Sequence, residues 1–149
     1  MKADKPKLKK RYRLIFPNDS EARGVYCIKL LINADEAVAY KGIFEKEEVG
    51  RISITPICEE DCYKIGCFRV REKVRKSGIG KKLFGEMIKV VESSGFGSVV
   101  VYPNSEPYEG DSYLEPYILY QIYMKLGFKF VNKNVELDKP NIKMIIQIK

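Results

Sequence analysis

Arg75-Lys76-Ser77-Gly78-Ile79-Gly80-Lys81 brings together two things that recognition of a phosphate needs: cationic side chains, and glycines that let an anion reach main-chain nitrogen. The run from Tyr63 to Val70 leads into it and reads as a strand. Ile79, Leu83, Met87, Val90 and Val91 lead out along one side of an amphipathic helix. A turn that opens a helix exposes amides with no intrahelical acceptor, and the helix dipole favours negative charge there. Gly78 and Gly80 carry no Cβ to hold a phosphate away, and Arg75, Lys76, Lys81 and Lys82 surround the turn with charge. The ligand indicated is a phosphate-bearing molecule. The alternative is a plain helix start whose glycines serve tight packing.

Three glycine-rich phosphate loops can be compared with this one. A P-loop requires G-x-x-x-x-G-K-[ST]; counting from Gly80, Arg75 takes the first glycine's place and Lys82 that of the hydroxyl, which excludes it. A dinucleotide fingerprint requires G-x-G-x-x-G; Leu83 takes the third glycine's place, and no repeating βαβ pattern accompanies it. The spacing that fits is V-x-x-x-x-R-x-x-G-x-G, met by Val70, Arg75, Gly78 and Gly80. It resembles the coenzyme A loop of the GNAT superfamily of acetyl-CoA-dependent N-acetyltransferases. Leu119 to Lys129 resembles the superfamily's second hallmark, an apolar helix ending Y-x-x-L-G-F, here Tyr123 to Phe128. Between them lies a β-branched run, Ser98 to Tyr102, so the elements come in the superfamily's order. The resemblance is good over residues 38–131 and poor over the first 37.

The resemblance implies an α/β (α+β) fold: a mixed, mostly antiparallel central sheet of six to seven strands, helices on both faces, and a central strand pair that splays to admit acetyl-CoA. Carried onto this sequence, the amides of Ser77, Gly78, Ile79, Gly80 and Lys81 would hold the pyrophosphate. Phe68, Arg69 and Val70 would offer strand-edge groups to the pantetheine arm, and Arg75 and Lys76 would meet the remaining phosphate. The implied reaction is direct attack of an amine on the thioester in a ternary complex, through a tetrahedral intermediate. A backbone amide near Val70 would stabilise the oxyanion. Tyr123 stands where the family places a tyrosine acid, and a phenol can protonate a departing thiolate; its other reading is simple helix packing. The family's usual strand glutamate is missing, because Tyr63 to Val70 holds no carboxylate. Glu60, Asp61, Glu72, Glu106, Glu109, Asp111 and Glu115 leave the choice of base open.

Many relatives carry an asparagine where this chain has Pro116. Asn104 stands instead at the end of the preceding strand, followed by a segment with Glu106, Glu109, Asp111 and Glu115, no basic residue, and tyrosines at 108 and 113. By the family's layout this segment borders the acceptor cleft. Asn104, Glu106, Tyr108 and Glu109 are the acceptor-binding candidates, since carboxylates attract an ammonium and tyrosine faces stack on it. The expected acceptor is a primary amine on a small molecule or peptide: a polyamine, a lysine side chain or an amino sugar. The competing reading of the segment is an exposed acidic loop without a role. The competing functions are transfer from another acyl-CoA and a non-catalytic CoA-binding module; a homodimer stays open.

Composition sets the frame for these elements. A chain of 149 residues with 45% apolar content suits one domain around one core. The net charge of +7 is concentrated in residues 1–13, which hold seven basic residues against Asp4. Residues 1–9 are expected to be a disordered basic tail on a domain spanning 10–149. Nucleic acid is disfavoured as a partner, because no helix-turn-helix, zinc-finger or aromatic-basic signature supports the tail. With no apolar stretch of membrane-span length and no signal-peptide core, the expected compartment is the cytoplasm. The absence of histidine removes Ser-His-Asp and Cys-His schemes and imidazole metal sites. Cys58, Cys62 and Cys67 lack zinc spacing, so no metal is expected; a Cys58–Cys62 disulfide is thinkable but unsuited to a reducing compartment. The remaining pattern predicts strands at Arg11–Phe16, Val38–Phe44, Val49–Thr55, Cys62–Val70, Ser98–Tyr102, Lys129–Val131 and Lys143–Ile148. Helices are predicted from Gly78 to Ser93 and from Pro116 to Leu126. Ala22, Val25, Ile28, Leu31 and Ile32 fall at helical spacing, so residues 20–32 are predicted as a helix, with a buried strand over Tyr26–Ile32 as the alternative.

Overall fold

The computed structural model describes residues 11–15, 25–31, 38–44, 47–72, 75 and 78–148. The predicted tail over 1–9, together with Lys76 and Ser77, lies outside the described residues. Among the described residues eight strands form one sheet in the order β1-β2-β3-β4-β5-β6-β8-β7, one or two more than predicted. They are β1 (Arg11–Ile15), β2 (Val25–Leu31), β3 (Val38–Phe44), β4 (Glu47–Ile57), β5 (Cys62–Val70), β6 (Ser98–Val101), β7 (Lys129–Phe130) and β8 (Met144–Gln147). The helices are α1 (Ile79–Ser94) and α2 (Pro116–Lys125).

The predicted helix over 20–32 is corrected to a strand over its described part. β2 pairs antiparallel with β1 from Arg11↔Leu31 to Ile15↔Cys27, and with β3 from Val25↔Phe44 to Leu31↔Val38. Its residues include the β-branched and aromatic types that suit a pleat, and neighbours on both edges supply ladder bonds that outweigh a helical spacing of apolar residues. β4 also starts earlier than predicted. Glu47 and Glu48 belong to the strand and pair with Phe44 and Ile43, not to a turn. The three predicted strands β3, β4 and β5 pair in succession as an antiparallel meander.

α1 buries Ile79, Leu83, Phe84, Glu86, Met87 and Val91 against a sheet core that includes Val49, Ile52, Ile54, Tyr63 and Ile65. Val90 is only half-buried. Glu86 pairs with Lys89 along the same helix at 3.2 Å. α1 ends at Gly95, whose φ of 85° supplies the left-handed stop.

Two local devices part β5 from β6, the only parallel pair among the described strands. Their ladder runs Cys62↔Ser98, Tyr63↔Val99, Lys64↔Val100 and stops. Gly66 lies in a bulge of β5, because Ser53 pairs with Cys67 and Ile54 with Ile65, leaving Gly66 opposite no β4 residue. A bulge bends its strand. On the other side β6 gives way to the buried Pro103, which has no N–H to extend a ladder. The expected splayed pair thus follows from two residues.

α2 ends in a Schellman motif. Phe128 N donates to Tyr123 O at 3.0 Å and Gly127 N to Met124 O at 3.0 Å, while the Phe128 and Tyr123 rings meet edge-on at 5.3 Å. Gly127 has a φ of 112°, and a methyl group there would come within 3.0 Å of Ile146 Cδ1. Gly127→Ala should therefore cost about 1–3 kcal/mol and lower the thermal midpoint by several degrees; an unchanged midpoint would mean the turn relaxes freely.

Candidate active site

Gly78 caps α1 with φ 93° and ψ −1°, and Lys82 N donates to its carbonyl at 3.0 Å to close the first turn. Gly78 is exposed, and a Cβ built on it meets nothing within 4 Å. No side chain caps the helix and no acid lies in its first turn. The exposed Lys81 and Lys82 sit there instead, at the dipole's positive end, where cations are disfavoured unless an anion joins them. Gly80 faces the end of β5: a Cβ on it would lie 3.5 Å from Val70 Cγ2 and 4.0 Å from the Phe68 ring. Arg75 Nε donates to Val70 O at 3.1 Å, fastening the turn to the same strand end. The Ile79 side chain is buried in the core, which leaves only its amide to serve a ligand.

Where β5 and β6 separate lies a cavity of about 230 Å³ lined by residues of both strands and by Asn104, Glu106, Tyr123 and Asn141. Of the expected site residues it brings together Phe68, Asn104, Glu106 and Tyr123. Tyr123 is 6% exposed, with its ring edge-on to Phe68 at 6.1 Å and to Phe128 at 5.3 Å. Burial, and then the charges of Cys67 and Glu106, push its phenol above the ordinary value of 10. Cys67, also in the lining, has its thiol pushed up by burial, with Arg69 opposing. Cys62 is a buried free thiol, so the contemplated Cys58–Cys62 disulfide is not formed.

The acidic loop is strapped to β5 rather than standing open. Arg69 Nη1 donates to Glu106 O at 3.4 Å, and Arg71 Nη1 donates to Glu109 O at 2.9 Å and to Asp111 Oδ1 at 3.2 Å. The Glu72 amide donates to Asp111 Oδ2 at 3.0 Å, and Glu72 Oε1 accepts from Ser112 N at 2.9 Å. Both guanidiniums lie over the Tyr108 ring, at 4.1 Å for Arg69 and 4.9 Å for Arg71. The Tyr108 hydroxyl donates to Glu48 Oε2 at 2.7 Å, and Arg51 grips the same carboxylate at 3.1 and 3.2 Å. Tyr108 and Asp111 thus already serve internal cations. The Glu109 side chain is exposed outside the cavity lining.

Burial and the bond to Glu48 push the Tyr108 phenol well above 10. With its folded pKa raised, the contribution is complete below the unfolded value near 10 and is lost as pH climbs past it. Tyr108→Phe should keep the arginine contacts, lose roughly 1–2 kcal/mol of stability at neutral pH, and fall less steeply than the parent between about pH 10 and 11. Urea unfolding at the two pH values measures both effects; parallel slopes would remove Tyr108 from the account.

Sequence reasoning missed Gly66, Cys67, Arg71, Glu48 and Asn141. Arg69 lies in β5 and Arg71 one residue past its end, and the two-residue spacing that would put both on one face of an extended chain is present in the sequence. Asn141 has none: it reaches the cavity through a left-handed turn, φ 65°, held by its amide's 2.8 Å bond to Pro103 O.

An uncapped, glycine-opened helix start thus stands beside a parted strand pair, with a tyrosine in the parting. The chain belongs to the acetyltransferase (GNAT) family, whose model matches residues 2–107. No curated protein sequence matches it. Among solved structures it is similar to an aminoglycoside 6'-N-acetyltransferase complexed with coenzyme A, at 25% identity and a TM-score of 0.58, covering 76% of this chain and 74% of that one. An aminoglycoside 6'-acetyltransferase type Ii is 27% identical, with a TM-score of 0.57 and coverage of 76% and 70%. The PaiA N-acetyltransferase of Thermoplasma acidophilum, also with coenzyme A, is 16% identical with a TM-score of 0.57; the match covers 74% of this chain but only 60% of that one. Among the described residues no helix is long and apolar enough to cross a membrane.

Proposed function

We propose that the protein transfers an acetyl group from acetyl-CoA to a primary amine by direct attack in a ternary complex. The observation that carries this is the α1 start: first-turn amides without a side-chain cap, flanked by lysines and tied through Arg75 to Val70 at the end of β5, beyond the part of that strand paired with β6. Amides of residues 77–81 would hold the pyrophosphate, with Arg75 and Lys76 beside it. Phe68, Arg69 and Val70 would bond the pantetheine arm along the edge of β5 that β6 no longer covers. Acetyl-CoA supplies an activated acyl group on a good leaving group. Tyr123, in the lining of the same cavity, is positioned to return a proton to the departing sulfur.

The acceptor is a small cationic amine of the amino-sugar or polyamine kind. The likeness to two aminoglycoside acetyltransferases at 25% and 27% identity supports this, as does the exposed carboxylate of Glu106 at the cavity. A thiol-release assay with acetyl-CoA across aminoglycosides, polyamines and lysine peptides tests the reading: amine-dependent release is expected. Tight CoA binding without release for any amine would favour a binding module instead.

A further inference from the structure

Among the described residues that line the cavity between β5 and β6, Glu106 is the only Asp or Glu. Its neighbours are committed elsewhere. Glu48 holds Arg51 and the Tyr108 hydroxyl, Asp111 holds Arg71 and the Glu72 amide, and Glu72 holds the Ser112 amide. The Glu106 carboxylate is exposed and, among the described residues, no donor is bonded to it. Its main chain is fixed, because Arg69 holds its carbonyl and covers Tyr108 two residues on. The Tyr123 hydroxyl and the Cys67 thiol, which line the same cavity, both lie within range of its charge.

Resting on the reading just proposed, we infer that Glu106 is the base that takes a proton from the acceptor's ammonium group. An ammonium nitrogen has no lone pair to attack with, and a carboxylate both draws it in and accepts its proton. One N–H proton passes to Glu106. The nitrogen lone pair forms the C–N bond to the acetyl carbon, and the C–S electron pair leaves with sulfur. Sulfur takes the Tyr123 proton, the nitrogen's second proton restores the phenol, and Glu106 releases its proton to water. Protons and electron pairs balance, and the net product besides amide and thiol is one proton.

The test compares the full chain with Glu106→Gln and Glu106→Asp, using acetyl-CoA with kanamycin, spermidine and a lysine peptide, and measures CoA affinity by calorimetry. The parent should show a flat kcat/KM over about pH 6–9, because it binds the ammonium and removes the proton in the cavity. Glu106→Gln can use only amine already neutral in solution. Its kcat/KM should fall about 100-fold near neutral pH and climb nearly tenfold per pH unit toward the amine's own pKa, with CoA affinity unchanged. Should the glutamine variant fail to hold CoA, Glu106→Asp carries the test, with about a tenfold loss and a pH profile still flat. Parent-like rates and a flat profile in Glu106→Gln, or undiminished rates in Glu106→Asp, overturn the inference and leave the acetyltransferase reading standing. Bound CoA with no transfer to any of the three amines by the parent overturns both.

Discussion

Tyr123→Phe should lower kcat about 100-fold while leaving CoA affinity within about twofold of the parent. The phenyl ring keeps its edge-on contacts to Phe68 and Phe128, and the Schellman bonds to the Tyr123 carbonyl use main chain alone. The variant therefore loses the hydroxyl without losing the packing that places it. Burial pushes the phenol up, so the proton is on oxygen at every pH below about 10 and no alkaline limb from Tyr123 should appear in the kcat profile before that point. Steady-state kinetics with calorimetry separates the two quantities. A Phe variant with full kcat would reduce Tyr123 to a packing residue.

Gly78→Asp should weaken CoA binding on the order of 100-fold with little damage to the fold. Gly78 is exposed with open space around it, and aspartate is among the side chains that best tolerate a left-handed backbone. A carboxylate at the helix start is favourable to the dipole in the free protein, so the thermal midpoint should shift by only a few degrees. The same carboxylate competes for the first-turn amides and repels a pyrophosphate by a few kcal/mol at an effective dielectric near 20, raising the Kd for CoA on the order of 100-fold. Calorimetric titration measures it. An unaltered Kd would move the phosphate site elsewhere and remove the main support for the cofactor assignment.

The parts of the fold legible in the sequence are those whose signals are local. The helix after Gly78 is given by apolar spacing, its end by Gly95, and the start of α2 by Pro116. The strands β3, β4 and β5 could be read from their apolar and β-branched runs. What escaped was decided by partners distant in the chain. β2 is a strand because β1 and β3 lie on both sides of it, and its own residues are compatible with either state. Glu48 precedes the predicted start of its strand, yet it is held by Arg51 and by Tyr108, sixty positions away. The acidic segment 104–115 likewise read as a free attractor of cations. Arg69 of β5 and Arg71 just past its end occupy Tyr108 and Asp111, leaving Glu106 as the acid at the cavity. The site motifs were legible for a different reason: Gly78 and the Gly127-Phe128 pair answer to backbone conformations that few other residues adopt.

The bulge at Gly66 and the stop at Pro103 also bear on how the chain avoids sticking to itself. A bare strand flank on a protein's rim is a template for intermolecular pairing and aggregation. Here the uncovered flank of β5 is in mid-sheet, with β6 and β8 carrying the sheet on beyond it and Tyr123 and Pro103 walling the gap. Set inside the sheet and not on its rim, the flank is kept from the edge-to-edge pairing with a second chain that an outer strand invites.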